Sequence, residues 1–193
     1  MPLHKFDVYN RWTKEVQFTA KIDCHADTST SLKLRLAVEW ARENGFDLMG
    51  ANLSGANLSG ADLRGFDLRG ADLSDAYLTG VDLRDAKLDH CPVKIENIHQ
   101  TVFEAASKDG ALNMIFWHKG ENFCGTTHCR AGWVTHLAGE DGRALELMMG
   151  TSAAAALIYM ASDPNLEKIP NFYTTKEDAL ADMKRLAEAE AAR

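Results

Sequence analysis

The strongest constraint on the fold is a five-residue period that runs without interruption through the middle of the chain. Residues 46–90 divide into nine consecutive units, beginning FDLMG, ANLSG, ANLSG and ADLRG. Leucine holds the third position of every unit, and alanine holds the first position in six of them. A period of five matches neither the 3.6 residues of a helix turn nor the two-residue alternation of a strand. It predicts a coil that turns every five residues, with each leucine inside and Gly or Asp in the turn.

This pattern, A(D/N)LXX, resembles the pentapeptide-repeat family. In that family five residues form one side of a square coil and twenty complete a turn. The resemblance implies a short right-handed quadrilateral β-helix of about two coils, since nine units are available. The two phenylalanines at first positions, Phe46 and Phe66, are twenty residues apart and are expected on the same side.

The same spacing predicts a mixed-charge ladder on the outside of the coil. Asp62 and Arg64 precede Asp82 and Arg84 by twenty residues, so the two pairs are expected side by side. These four residues are the candidate binding site of the repeat. The other aspartates of the repeat are spread over several sides, which argues against a hard-metal site.

The whole chain is predicted to be a mixed β/α protein. Its three parts are an N-terminal β-hairpin plus helix cap at 1–45, the β-helix at 46–90, and a C-terminal α-helical domain at 91–193. Alternating apolar residues predict the hairpin over 6–22, and Ser29, Thr30 or Ser31 is expected to cap a helix over 32–44. The segments predicted to be helical in the third part are 97–108, 129–138, 143–149, 151–161 and a last helix from Lys176.

Thr175 and Asp178 predict a capping box at the start of the last helix. Its apolar stripe contains Leu180, Met183 and Leu186. This stripe either packs within the helical domain or joins two copies of the chain, so the sequence allows a homodimer through this helix.

The segment CGTTHC at 124–129 is the candidate for chemistry outside the repeat. Cysteine and histidine at this density are zinc-type ligands. The candidate metal ligands are Cys124, His128, Cys129 and His118, with His136 as an alternative to His118. The C-x₄-C spacing differs from the C-x₂-C pairs that are common in zinc sites, so zinc is one interpretation among several.

Three further interpretations of this segment stay open. Cys129 begins a predicted helix, and a helix N-terminus lowers a thiol pKa, so it is a candidate nucleophile of a cysteine-dependent enzyme. In a structural interpretation, Thr126 or Thr127 caps the helix and Cys129 lies in its core. A reversible disulfide between Cys124 and Cys129 is the last alternative.

Charge and composition limit the class of partner. The net charge of −7 argues against direct nucleic-acid binding, which requires a basic surface. The chain shows no signal peptide and no stretch long enough to span a membrane, so we expect a cytoplasmic protein with reduced cysteines. No phosphate-binding loop, dinucleotide fingerprint or paired-carboxylate motif is present, and a non-enzymatic role is expected.

The flanking segments resemble hypothetical proteins of phages and prophages, in which a pentapeptide block precedes a helical domain. The runs that carry this resemblance include VYNRWTKEVQFTAKI at 8–22, IENIHQTVFEAASKDGALNM at 95–114 and CGTTHCRAGW at 124–133. These proteins are of unknown function, so the resemblance itself implies no activity. We expect a non-enzymatic protein-binding module of phage or prophage type that modulates a host protein. Some members of the pentapeptide-repeat family imitate DNA and bind gyrase, so a DNA-mimic inhibitor of a host enzyme is the alternative.

Overall fold

The computed structural model describes residues 3–87, 91–114, 118–119 and 127–193. The contacts between residues divide the chain into two units, Met1–His90 and Cys91–Arg193. Within the described residues, the first unit holds a β-hairpin, one helix and the repeat. In its described part, the second unit holds five helices and a short two-stranded sheet. The predicted mixture of α and β structure is therefore confirmed.

The chain begins with an antiparallel hairpin of β1 (His4–Tyr9) and β2 (Val16–Ile22). Every second residue of β2, namely Phe18, Ala20 and Ile22, is buried, as the alternating pattern predicted. The side-chain oxygen of Asn10 closes the turn by accepting the backbone N–H groups of Trp12 and Thr13 at 3.0 and 3.2 Å. Asparagine favours such turns because its short side chain bonds to its own backbone two residues on.

Helix α1 (Thr30–Asn44) follows the hairpin and packs against β2. The Ser29 hydroxyl accepts the N–H of Leu32 at 3.4 Å, which selects Ser29 from the three predicted caps. The helix ends at Gly45, whose φ of 71° is a left-handed conformation that glycine adopts without strain. The buried residues of its apolar face are Leu34, Ala37, Val38 and Ala41.

The repeat forms a parallel coil in which residues twenty apart are paired. The paired residues are Asn52 with Asp72, Asn57 with Tyr77, Asp62 with Asp82, and Asp67 with Lys87. Each bridge is held by backbone hydrogen bonds such as Leu53 N–H to Asp72 O at 2.9 Å. The family resemblance predicted this twenty-residue spacing, and the hydrogen bonds confirm it.

Each five-residue unit closes in the same way. The N–H of the first residue donates to the carbonyl three residues earlier, as in Ala56 to Leu53 at 3.1 Å. The fifth residue has a positive φ and is glycine in most units, but Asp75 and Asp85 take this role at 55° and 60°. Leucines fill the interior, and those that are completely buried are Leu48, Leu53, Leu58 and Leu63. Burying one such side chain contributes roughly 1.5–3 kcal/mol.

The N-terminal segment supplies backbone partners to the open edge of the first coil. The carbonyl of Tyr9 accepts the N–H of Asn52 at 2.8 Å, and the carbonyl of Ser31 accepts the N–H of Asn57 at 3.2 Å. An unpaired edge would leave buried polar groups unsatisfied and would be open to aggregation. The hairpin and α1 therefore act as the cap that a repeat array needs.

Side chains complete this cap on the remaining stretches of the edge. Gln17, Arg35 and Arg42 donate to repeat carbonyls at 2.8–3.3 Å. The accepting carbonyls are those of Asp47, Met49, Ser59, Asp62 and Arg64. Together with the backbone contacts, each of the four sides of the first coil has a partner from the N-terminal segment.

The turn of the hairpin also lies on the repeat, through Trp12. Its ring covers Gly50 and Gly70, which occupy equivalent positions in successive coils. A Cβ atom at Gly70 would lie only 2.0 Å from the Trp12 ring, and one at Gly50 only 2.6 Å away. Both positions therefore need glycine for two reasons. The indole ring leaves no room for a side chain, and the backbone has a positive φ.

The second unit is built mainly of helices. Its elements are α2 (Ile98–Ala106), β3 (His118–Lys119), β4 (Thr127–His128), α3 (Arg130–Leu137), α4 (Gly139–Met149), α5 (Thr151–Ser162) and α6 (Lys176–Ala191). Helix α2 packs on α6, and α5 packs on both α3 and α4. Among the described residues of the unit, the largest apolar side chains that are less than 2% exposed are Tyr159, Phe172, Ile98, Ile158 and Met183.

Two helix beginnings differ from the sequence-based expectations. Helix α4 starts at Gly139 rather than at 143. The negative charges of Glu140 and Asp141 in its first turn stabilise this earlier start by interacting with the positive end of the helix dipole. Helix α3 is capped by Cys129, whose Sγ accepts the N–H of Gly132 at 3.3 Å. The threonine cap predicted at 126 or 127 is therefore wrong for Thr127, which lies in β4, while Thr126 lies outside the described residues.

The predicted capping of α6 by Thr175 is confirmed, and Asp178 contacts the Thr175 hydroxyl rather than its backbone N–H. The Thr175 hydroxyl accepts the N–H of Asp178 at 3.1 Å and donates to its carboxylate at 2.8 Å. Met183 and Ala187 are buried, and the helix packs on α2 of the same unit. None of the helices in the described part of the chain is long and apolar enough to cross a membrane.

Candidate functional site

The two aspartate–arginine pairs of the predicted charge ladder lie side by side and share one geometry. Asp62 accepts the N–H of Arg64 at 3.1 Å, and the Arg64 guanidinium donates to both carboxylate oxygens at 2.8 and 2.6 Å. Asp82 and Arg84 form the same bidentate pair at 3.0 and 2.5 Å. We refer to these four residues as the ladder face.

The two pairs of the ladder face are joined across the coils. The bridge between Asp62 and Asp82 places Arg64 Nε 3.7 Å from the Asp82 carboxylate. Arg42 of α1 adds a further cation, with Nη1 3.0 Å from Asp62. Arg42 and Arg64 each contact at least two groups, and Arg84 is held by its bidentate contact with Asp82, so these side chains are pre-organised without being buried.

These contacts change the acidity of the carboxyl groups. The hydrogen bonds from Arg64 lower the pKa of Asp62 from 3.8 to about 2. Those from Arg84 lower the pKa of Asp82 in the same direction. Because the arginines are exposed to solvent, ion pairs of this kind contribute little to stability. The ladder face is therefore a surface of fixed, fully ionised groups, and its contribution to folding is small.

Arginine neutralises acidic residues on other sides of the repeat as well. Arg69 forms a bidentate pair with Asp67, at 2.9 and 2.5 Å, and lowers its pKa to about 2. Arg11 from the hairpin lies 3.8 Å from Asp72. Much of the acidic charge that the sequence assigns to the repeat is therefore compensated locally.

The candidate metal ligands are only partly within the described residues. Cys124 lies outside them, and of His118 only the backbone is described, paired opposite His128 between β3 and β4. The His128 ring is buried and stacks on His136 with ring centroids 4.6 Å apart. Among the residues that the structure describes, no group of three or more His, Cys, Asp or Glu side chains is arranged to hold a metal ion. The zinc site stays a prediction.

Cys129 is buried, and its environment disfavours the thiolate. Burial raises the pKa of its thiol from 9.0 to about 11, against the weaker effect of backbone N–H groups. The sequence predicted a lowered pKa from the helix N-terminus. That expectation is wrong, because desolvation outweighs the hydrogen bonds of the helix end. At neutral pH the thiol keeps its proton and serves as a helix cap.

A buried polar network in the second unit was missed by the sequence analysis. Arg130, only 1% exposed, donates to the Asp182 carboxylate at 2.6 Å and to the Tyr159 hydroxyl at 3.2 Å. His99 stacks on Tyr159 and lies 3.0 Å from the Asp163 carboxylate. A buried arginine has no local sequence signature, so only the long-range pairing reveals this network.

The fold and the ladder face define a solenoid with an arginine–aspartate surface. Residues 47–85 match the model of the family "Pentapeptide repeats" in eight copies. This segment is therefore a pentapeptide-repeat segment, as its resemblance implied. No curated protein and no solved structure matches the chain.

Proposed function

We propose that the chain is a non-enzymatic protein-binding module whose contact surface is the ladder face. The observation that supports this is the fixed arrangement of Asp62, Arg64, Asp82 and Arg84 on a rigid coil. Pre-organised arginines lose little side-chain entropy on binding, and arginine is enriched at the energetic centres of protein interfaces. Pentapeptide-repeat proteins are often protein-interaction modules, which agrees with this role.

The local pairing of charges favours protein contact over imitation of DNA. A DNA mimic presents rows of uncompensated negative charge to a basic groove. Asp62, Asp67, Asp72 and Asp82 each lie within salt-bridge distance of an arginine. An alternating surface of this kind is complementary to a partner with its own alternating charges, and such complementarity gives specificity.

In the finer form of the proposal, the module is of phage or prophage type and acts in the cytoplasm on a host or phage protein. The resemblance of the flanking segments to phage proteins supports this attribution. Modulation of the partner follows from occupying its surface. The proposal needs neither a cofactor nor a catalytic group, and the cysteine-centred and metal-centred alternatives depend on Cys124.

The test is capture of partners from bacterial lysate by the tagged full-length chain, followed by mass spectrometry. We expect a reproducible partner that Arg84→Ala loses and that competing duplex DNA does not displace. Arg11→Ala is the matched control, because it removes an arginine that pairs with an aspartate, Asp72, on another side of the coil. Capture that is equal for both variants, or displacement by DNA, would refute the assignment of the ladder face.

A further inference from the structure

A cleft of about 540 Å³ opens in the first unit, where α1 ends and the repeat begins. It lies beside the ladder face, because Arg64 belongs to both. The charged and aromatic residues that line it include Arg42, Phe46, Asp47, Arg64, Asp67 and Lys87. None of the sequence patterns pointed to this cleft, which forms only when three successive turns of the chain come together.

The floor of the cleft includes open backbone and the exposed part of the Phe46 ring. A Cβ atom placed at Gly45 or at Gly65 would meet nothing within 4 Å, so the space above both glycines is free. Phe46 is 42% exposed although its ring packs against Phe18 and Trp40, with centroids 5.4 and 5.1 Å away. The ring is therefore held in place by the aromatic cluster and keeps an apolar surface accessible to a ligand.

The two acidic residues of the cleft are already satisfied by the chain. The Asp47 carboxylate accepts the N–H groups of Leu48 and Met49 at 2.6 and 3.1 Å. Asp67 is paired with Arg69, which is not part of the lining.

The lining carries three cations, Arg42, Arg64 and Lys87, against these two carboxylates. Arg42 and Arg64 are fixed beside Asp62. The described part of the chain places no carboxylate within salt-bridge distance of the Lys87 ammonium, which acts on Asp67 only at longer range. In a chain of net charge −7, this cleft is thus a local site for negative charge.

We propose that the cleft receives an acidic segment of the partner protein. A carboxylate of that segment meets Lys87 and the two fixed arginines, and an apolar side chain next to it covers Phe46. This inference rests on the proposed function, since it names the chemistry of the protein that the module binds. The fixed positions of Arg42, Arg64 and Phe46 mean that little ordering is required of the module on binding.

Selection of short peptides from a random displayed library by the full-length chain tests this proposal. We expect enrichment of sequences that place Asp or Glu next to a large apolar residue. By fluorescence anisotropy, Lys87→Glu should weaken binding of an enriched peptide about tenfold, because a favourable contact becomes a repulsive one. Lys21→Glu is the matched control, with the same charge change at an exposed residue of the same unit outside the cleft, and should bind as the native chain does.

Phe46→Leu provides a second variant, since it keeps an apolar side chain at the aromatic cluster but reduces the surface offered to the ligand. Circular dichroism of each variant establishes that it is folded. Absence of acidic residues among the selected peptides, or unchanged affinity in folded Lys87→Glu, would overturn the inference. Capture of a lysate partner that is lost in Arg84→Ala but kept in Lys87→Glu would also overturn it, while leaving the proposed function in place.

Discussion

The contact of Trp12 with the repeat gives a sharp test of how the N-terminal segment caps the coil. Gly60 and Gly70 have almost the same backbone conformation, with φ of 70° and 69°. An added methyl group at Gly60 would meet nothing within 4 Å, whereas at Gly70 it would lie 2.0 Å from the Trp12 ring. The substitutions Gly60→Ala and Gly70→Ala therefore differ in one respect only, the displacement of the indole.

The expected energies follow from these contacts. Alanine in the left-handed conformation costs about 1–2 kcal/mol, and both variants incur this cost. Trp12 is 63% exposed, so roughly 90 Å² of its side chain is covered, which corresponds to at most about 2 kcal/mol. Gly70→Ala should therefore destabilise the first unit by up to about 2 kcal/mol more than Gly60→Ala.

Urea unfolding followed by circular dichroism measures both free energies of unfolding. Trp12→Ala supplies the second background. In that background, Gly70→Ala and Gly60→Ala should have equal effects, because the ring is gone. Equal effects of the two substitutions in the native chain, or a difference that survives in Trp12→Ala, would refute the assignment of Trp12 as part of the cap.

Three further predictions concern the core and the buried titratable groups. Leu58→Ala should lower the free energy of unfolding, measured in urea, by about 2–5 kcal/mol. Leu3 is 62% exposed, so Leu3→Ala should change this free energy by less than about 0.5 kcal/mol. Similar losses in the two variants would contradict an inward-facing Leu58. Burial lowers the pKa of His99 below 6.5, so the unfolded chain binds a proton at a higher pH than the folded chain does. The free energy of unfolding should therefore fall as the pH drops from 7 to 5, by up to about 1.4 kcal/mol per pH unit. His99→Gln should flatten this pH dependence, and an unchanged slope would contradict the prediction. The Cys129 thiol, with its pKa raised to about 11, should resist alkylation at pH 8 in the folded chain and react after denaturation. Mass spectrometry of the peptide that contains Cys129 measures this labelling. Rapid labelling of the folded chain would contradict the burial of the thiol.

The repeat and most helix boundaries could be predicted because their signals are local. The third-position leucines and the turn residues lie within five residues of each other, and the twenty-residue pairing follows from the family pattern. Capping by Ser29 and Thr175 also depends on neighbouring residues only. Right-handed winding, the number of coils and a homodimer through α6 stay predictions.

The remaining features could not be predicted because they depend on distant parts of the chain. Arg35 and Arg42 bind backbone carbonyls of the repeat, and carbonyls have no sequence signature. Arg130 and Asp182 are 52 residues apart, and only the packed helices bring them together. The pKa of Cys129 was predicted with the wrong sign because a sequence shows a helix start but does not show how much water the fold removes.

The twenty-residue pairing restricts how the length of this protein can change. Four five-residue units return the chain to the side on which it began, as the bridge between Asp62 and Asp82 shows. Insertion of four units would lengthen the coil while keeping the side from which the chain leaves it. Insertion of a single unit would turn everything that follows by a quarter of a revolution, and would move each later aspartate–arginine pair to a neighbouring side. Related chains should therefore differ in repeat length by multiples of twenty residues wherever both ends of the coil must keep their orientation.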